Sequence, residues 1–177
     1  MPVYLKDLPV ADPDRNLVDR QESVAEYIAL PDVARLEWPP AVVEGWLFDH
    51  ADHEAFRLDY ASLDLSSIGW ALEEVPASEL QDVRTGASEQ AFLNYVAEIH
   101  QHWLSVRPPK IRSEWEARGT WLVAPMFVAQ SLLSPPGPGL QLVEGRMRVG
   151  ILQGRLRDGL HVADSHKAWV GRRRDGR

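Results

Sequence analysis

The ten residues Leu140-Gln-Leu-Val-Glu-Gly-Arg-Met-Arg-Val149 constrain this chain more than any other stretch of it. Leu140, Leu142 and Val143 supply an apolar strand end, and Gly145 stands where the backbone must turn. From Arg146 to Asp158 the residues Met147, Val149, Ile151, Leu152 and Leu156 then recur at helical spacing. A strand that passes into a helix through one glycine predicts a sheet with that helix packed on it. The start of such a helix exposes backbone N–H groups that have no partner within the helix, and two arginines lie beside them. Such a point suits a phosphate or another anion, with Glu144 adjacent.

The remaining elements follow from periodicity and breakers. Residues 1–20, with Pro2, Pro9 and Pro13, read as an irregular lead-in. Helices are predicted from Glu22 to Leu30, from Trp38-Pro39-Pro40 to about His50, and from Glu54 to Tyr60. Alternation of Ile68, Trp70 and Leu72 predicts a strand ending near Val75-Pro76. Ser88 is the expected N-cap of a helix carrying Phe92, Tyr95, Val96, Ile99 and Trp103, stopped by Pro108-Pro109. One or two helical turns are expected over Ser113–Gly119, then a strand within 124–129, the loop Ser134–Gly139, and a last strand around 160–163. The predicted fold class is α+β. A small mixed β-sheet (68–75, 124–129, 140–144, 160–163) carries packed helices, beside an N-terminal helical layer. The division expected is an N-terminal helical extension at 1–65 and an α+β domain at 66–177.

Composition narrows the function classes. The absence of cysteine excludes disulfides, thiolate metal sites and cysteine nucleophiles. The seven tryptophans are spread along the chain, which favours core packing over a single stacking platform. No apolar run is long enough to span a membrane, and the first ten residues do not resemble a secretion signal. A bacterial-type cytoplasmic protein is expected, with no membrane association. Residues 145–177 carry a balance of +6 and the preceding residues −13, so the acidic body argues against a general nucleic-acid coat. Arg172-Arg173-Arg174-Asp-Gly-Arg177 reads as a solvated tail.

This order of elements resembles the ParB/sulfiredoxin-like superfamily. The resemblance rests on the strand Trp70–Val75, on Ala124-Pro-Met-Phe-Val128, and above all on Leu142-Val-Glu-Gly-Arg-Met-Arg148. It covers roughly 66–170. It implies a nucleotide held at the Gly-Arg box, with Gly145, Arg146 and Arg148 on its phosphates. Glu144 would be the catalytic carboxylate, holding a metal or orienting a hydroxyl. A nucleoside triphosphate with Mg²⁺ is the implied cofactor, and its metal ligands stay unassigned. The chain departs from the family in three respects. Sulfiredoxins need a cysteine directly after the glycine, and Arg146 stands there, which excludes sulfinic-acid reduction. Met147 lies where an active enzyme would carry a hydrogen-bonding side chain. Too few residues follow Asp158 for a helix-turn-helix, so specific DNA binding is not expected.

Four further residues are candidates for the same site. Glu73 and Glu74 follow a strand where family kinases place a carboxylate, and His161 and His166 flank Asp164. His50 and His53, among Asp49, Asp52 and Glu54, read instead as capping and solvation at a helix junction, and His100 and His102 do not share a helix face. Two functions follow. One is a protein binding a nucleotide or other phosphate-bearing ligand, with phosphotransfer or nuclease chemistry as the reaction classes open to it. The other is a non-catalytic acidic protein whose N-terminal layer binds a partner, such as a basic toxin or nuclease that it neutralises. An enzyme is expected to add Glu73 or Glu74 and His161 or His166 to the Gly145 site.

Overall fold

The computed structural model describes residues 1–10 and 20–174. Its centre is a mixed, open sheet of five strands: β1 (Ile68–Pro76), β2 (Arg84–Thr85), β3 (Met126–Ala129), β4 (Leu140–Glu144) and β5 (Ser165–Arg173). The order across the sheet is β1-β5-β3-β4-β2. The β1–β5 and β3–β4 pairs are antiparallel, and β5–β3 and β4–β2 are parallel. Nine α-helices lie among the described residues. They are α1 (Arg20–Ala29), α2 (Pro31–Ala34), α3 (Pro40–Val42), α4 (Glu54–Tyr60), α5 (Ala77–Leu80), α6 (Gln90–Glu98), α7 (His100–Ser105), α8 (Pro109–Arg118) and α9 (Arg146–Arg157). The chain is therefore α+β, and no described helix is long and apolar enough to cross a membrane.

Central strand β3 is buried along its whole length, and its side chains alternate between two cores. Met126 and Val128 join the core built with residues from 3 to 68, and Phe127 joins the core built with α5, α6, α8 and α9. The N-terminal layer is thus bonded onto one face of the sheet. Trp46 stacks on Trp38 with ring centroids 5.2 Å apart and meets Phe56, Tyr60 and Trp70 edge-on. The Trp38 indole N–H donates to the Ile68 carbonyl at 3.2 Å, and the Tyr60 hydroxyl donates to that of Leu142 at 3.1 Å. On the opposite face α9 approaches α6 and α7 across two glycines. A Cβ on Gly150 would lie 2.6 Å from Val96 Cγ1, and one on Gly154 would lie 2.5 Å from the Ala97 carbonyl oxygen.

Several expectations need correction. No strand forms at 160–163. Gly159, at φ +66°, turns the chain after α9, and the Ala163 amide is tied to the Gly119 carbonyl. The last strand is β5, where His166, Ala168 and Val170 face the core. Arg172 and Arg173, expected in a solvated tail, end that strand. Arg172 forms a two-pronged ion pair with Glu73, and Arg174 donates to the Leu36 carbonyl at 2.7 Å. Residues 175–177 of that tail lie outside the described residues, as do 11–19 of the lead-in.

Residues 1–10 are irregular apart from a 3₁₀ turn at Leu5–Asp7, as expected, but they are packed against the core. Val3, Leu5 and Leu8 are buried, and the Leu65 amide donates to the Val3 carbonyl at 2.8 Å. Ser88 caps no helix, because Asp59 of α4 takes both its amide and its hydroxyl. The helix that follows breaks at Ile99 (φ −114°, ψ 38°) into α6 and α7, a bend that seats His100 on Gly154. The turns expected from Ser113 begin earlier, since Pro109 opens α8 as its first residue. Gly119 ends α8 in the left-handed conformation, as its position suggested.

Candidate functional site

β4 ends at Glu144, and Gly145 turns the chain into α9 with φ +104° and ψ 26°. A side chain could not occupy that position without strain, and a Cβ there would lie 2.5 Å from Pro125 Cβ. No side chain caps α9, so the first-turn amides of this twelve-residue helix keep their partial positive charge. The residues of this first turn line a cavity of about 510 Å³ at the carboxyl end of β4. Its charged rim comprises Glu89, Arg107, Glu144, Arg146 and Arg148, together with His50 and His53. Its apolar wall is contributed by Phe92, Ile111, Trp115, Trp121, Leu122, Val123, Met147 and Ile151.

The arginines of the rim are engaged to different degrees. Arg146 donates through Nε to Glu89 at 3.1 Å and through Nη1 to the Val143 carbonyl at 3.0 Å. Arg148 folds back onto Glu144 in a short ion pair, and its buried Nε has no partner. The Arg107 side chain donates through Nε to the Trp103 carbonyl, at 3.3 Å, with its guanidinium 5.8 Å from the centre of the Trp103 ring. It has no carboxylate partner among the described residues. Burial pushes the Glu144 carboxyl above the ordinary glutamate range, against the pull of Arg148 and Arg146. His50 and His53 share a 3.3 Å hydrogen bond between their Nδ1 atoms. Burial lowers the pKa of His50, and His53 and Arg146 add to this, whereas Asp49 and Asp52 oppose it.

Of the residues assigned to the site from the sequence, Glu144, Gly145, Arg146 and Arg148 share this cavity, and Glu73, Glu74, His161 and His166 do not line it. Glu73 and Glu74 belong to β1, with β5 and β3 between them and β4. Arg172 holds the Glu73 carboxyl below its usual range, and Glu74 accepts from the Ser165 hydroxyl at 3.2 Å. His161 is exposed and offers only its backbone carbonyl, to Arg155. His166 is buried against the Trp121 ring, with Nδ1 2.8 Å from the Thr120 hydroxyl, and burial lowers its pKa. In their place the fold brings His50, His53, Glu89 and Arg107 to the Gly145 turn. The density of polar residues around His50 was visible in the sequence, but nothing there connects it to Arg146. The described residues contain no group of three histidine or carboxylate side chains placed to hold a metal ion.

Chemically the cavity offers hydrogen-bond donors and a modest excess of positive charge at one end, and aromatic and aliphatic surface at the other. Compared with known proteins, the chain matches no family model, no curated protein and no solved structure.

Proposed function

We propose that the chain binds a nucleotide, or another small ligand with a phosphate and a planar apolar part, in the cavity at the Glu144–Arg148 turn. One observation carries this reading. The strand–glycine–helix turn expected to hold an anion opens onto a cavity whose other walls are aromatic and aliphatic. The phosphate would lie at the start of α9 among Arg107, Arg146 and Arg148, where first-turn amides and guanidinium groups act together. A base or similar ring would lie against Phe92, Met147 and Ile111. The ParB/sulfiredoxin-like resemblance agrees with this placement and remains part of the proposal. Binding without a named reaction is the form we adopt, because Glu144 is tied to Arg148 and Glu89 to Arg146. Among the described residues no group of histidine or carboxylate side chains is placed to hold Mg²⁺.

A thermal-shift panel of ATP, GTP, CTP and UTP, each with and without Mg²⁺, tests the reading. A ligand at ~100 times its Kd stabilises by about 2.7 kcal/mol, or roughly 5–10 °C for a chain of this size. Arg107→Ala is the discriminating variant, since it removes a cation that stabilises no carboxylate. It is expected to leave the melting temperature of the free protein within about 2 °C of wild type and to abolish or halve the shift. No shift with any nucleotide overturns the proposal, and a protein partner for the acidic N-terminal layer would then take its place.

A further inference from the structure

The rim charges of the cavity do not balance the ligand class just proposed. Three guanidinium groups face two carboxylates, which leaves one positive charge while His50 and His53 are neutral. That suits a monoanion. A terminal phosphate carries close to two negative charges at neutral pH, its second ionisation lying near pH 6. The unmatched charge must be screened by solvent or met by a proton.

Histidine is the rim side chain whose ordinary charge change lies nearest neutral pH, and Glu144, raised by burial, is already engaged by Arg148. The geometry of the two histidines limits how much they supply. The Nδ1–Nδ1 hydrogen bond forms between two neutral rings, and also between one imidazolium and one neutral ring, but not between two imidazoliums. The pair can therefore take up one proton and keep its shape. His53 Nε2 lies 3.8 Å from an Asp52 carboxylate oxygen, so a charge on that ring has a counter-ion at hand. On the same segment Asp49 is occupied by Arg20, which also holds Glu44. Across the cavity the pair is faced by Arg146 and Arg148 of α9, Glu144 at the end of β4, Glu89 ahead of α6 and Arg107 after α7. Burial, His53 and Arg146 together favour a neutral His50 in the free protein, and a dianion arriving among the arginines reverses that preference.

We propose that the His50–His53 pair is a proton-accepting part of the phosphate site, so that the cavity selects phosphomonoester dianions over phosphodiester monoanions. This rests on the phosphate-binding reading above. It predicts that monoester binding draws up to one proton from solvent. Affinity then tightens by up to about tenfold per pH unit as pH falls from 8 towards 6.5, and it levels where the phosphate itself begins to protonate.

The test is calorimetric titration of the full chain with 5′-AMP and phenyl phosphate as monoesters and 3′,5′-cyclic AMP as the diester. The titrations are run at pH 7.5 in HEPES and in Tris, whose ionisation enthalpies differ. The expected result is a buffer-dependent heat for the monoesters and none for cyclic AMP. His50→Gln and His53→Gln should each remove the buffer dependence and bring monoester and diester affinities together. The wild-type comparison stands alone should either variant fold poorly. Monoester binding without proton uptake, or equal uptake with cyclic AMP, overturns the inference and leaves the phosphate reading intact. Failure of both monoesters to bind a protein that responds to triphosphates also overturns the inference. Failure with all of these ligands overturns both.

Discussion

The two faces of the sheet are closed by opposite means. On the N-terminal side large rings do the filling: Trp46 alone contacts Trp38, Phe56, Tyr60 and Trp70. On the other side Gly150 and Gly154 bring the backbones of α9 and α6 together by having no side chain at all. Ring packing leaves the first face buried as one continuous cluster from Val3 to Val143. Glycine packing draws the helices together along the middle of α9 and leaves a cavity at its N-terminal end, where Met147 and Ile151 face Phe92 and Ile111. The difference separates two jobs. The aromatic face is expected to contribute most of the stability, and the glycine face leaves room for a cavity of about 510 Å³ beside its own buried core.

That division can be broken most directly at Trp46, which is fully buried. Trp46→Ala removes the ring at the centre of the aromatic cluster and is expected to cost about 3–5 kcal/mol. Chemical denaturation measures the loss, and at roughly 2–4 °C per kcal/mol the melting temperature falls on the order of 10 °C. The nucleotide shift of the surviving folded protein should be unchanged. A variant of near wild-type stability would show that the aromatic face is not the stabilising one.

A smaller effect is expected on the other face. Gly154→Ala places a methyl group 2.5 Å from the Ala97 carbonyl oxygen and 2.4 Å from His100 Cδ2, and the first of these is backbone that cannot rotate away. Overpacking of this kind costs about 1–3 kcal/mol, despite alanine's better helix propensity. Urea unfolding measures it. A stabilised Gly154→Ala would mean that α6 and α9 are not held at the separation described, and the account of why a cavity opens beside them would fall with it.

What the sequence made legible was local. The β4–Gly145–α9 turn could be read because its strand end, its left-handed glycine and its helical stripe are contiguous, so three of the five charged rim residues came with it. β5 was misplaced because its identity as a strand depends on pairing with β1, ninety-odd residues earlier, while a polar His166 on its inward face and an apolar Trp169 on the other mask its alternation. The two-residue β2 is too short to have a period. His50, His53 and Arg107 reach the cavity only because the N-terminal layer and α7 close around the end of β4, and no local pattern encodes that meeting. The Gly150–Gly154 spacing was available in the sequence, but its meaning as a close approach requires knowing that α6 lies opposite.

The smallest predicted effect lies at the junction of the two regions, in the pH dependence carried by Glu144. Burial raises its pKa in the folded chain above the ordinary value of 4.5, in spite of Arg148 and Arg146. Between that ordinary value and the raised one, the folded state holds a proton that the unfolded state has released. Stability from this group is therefore present at low pH, declines as pH rises through the window, and is constant above it. Glu144→Gln cannot ionise, so it should lack this decline. Urea unfolding of both proteins from pH 4 to 7 should show wild type losing ground to the variant as pH rises. The opposite slope would mean that the Arg148 pair outweighs desolvation. The cavity end of β4 would then be as wet as open surface, and the contrast between a packed face and a partly enclosed, ligand-sized cavity would lose its electrostatic support.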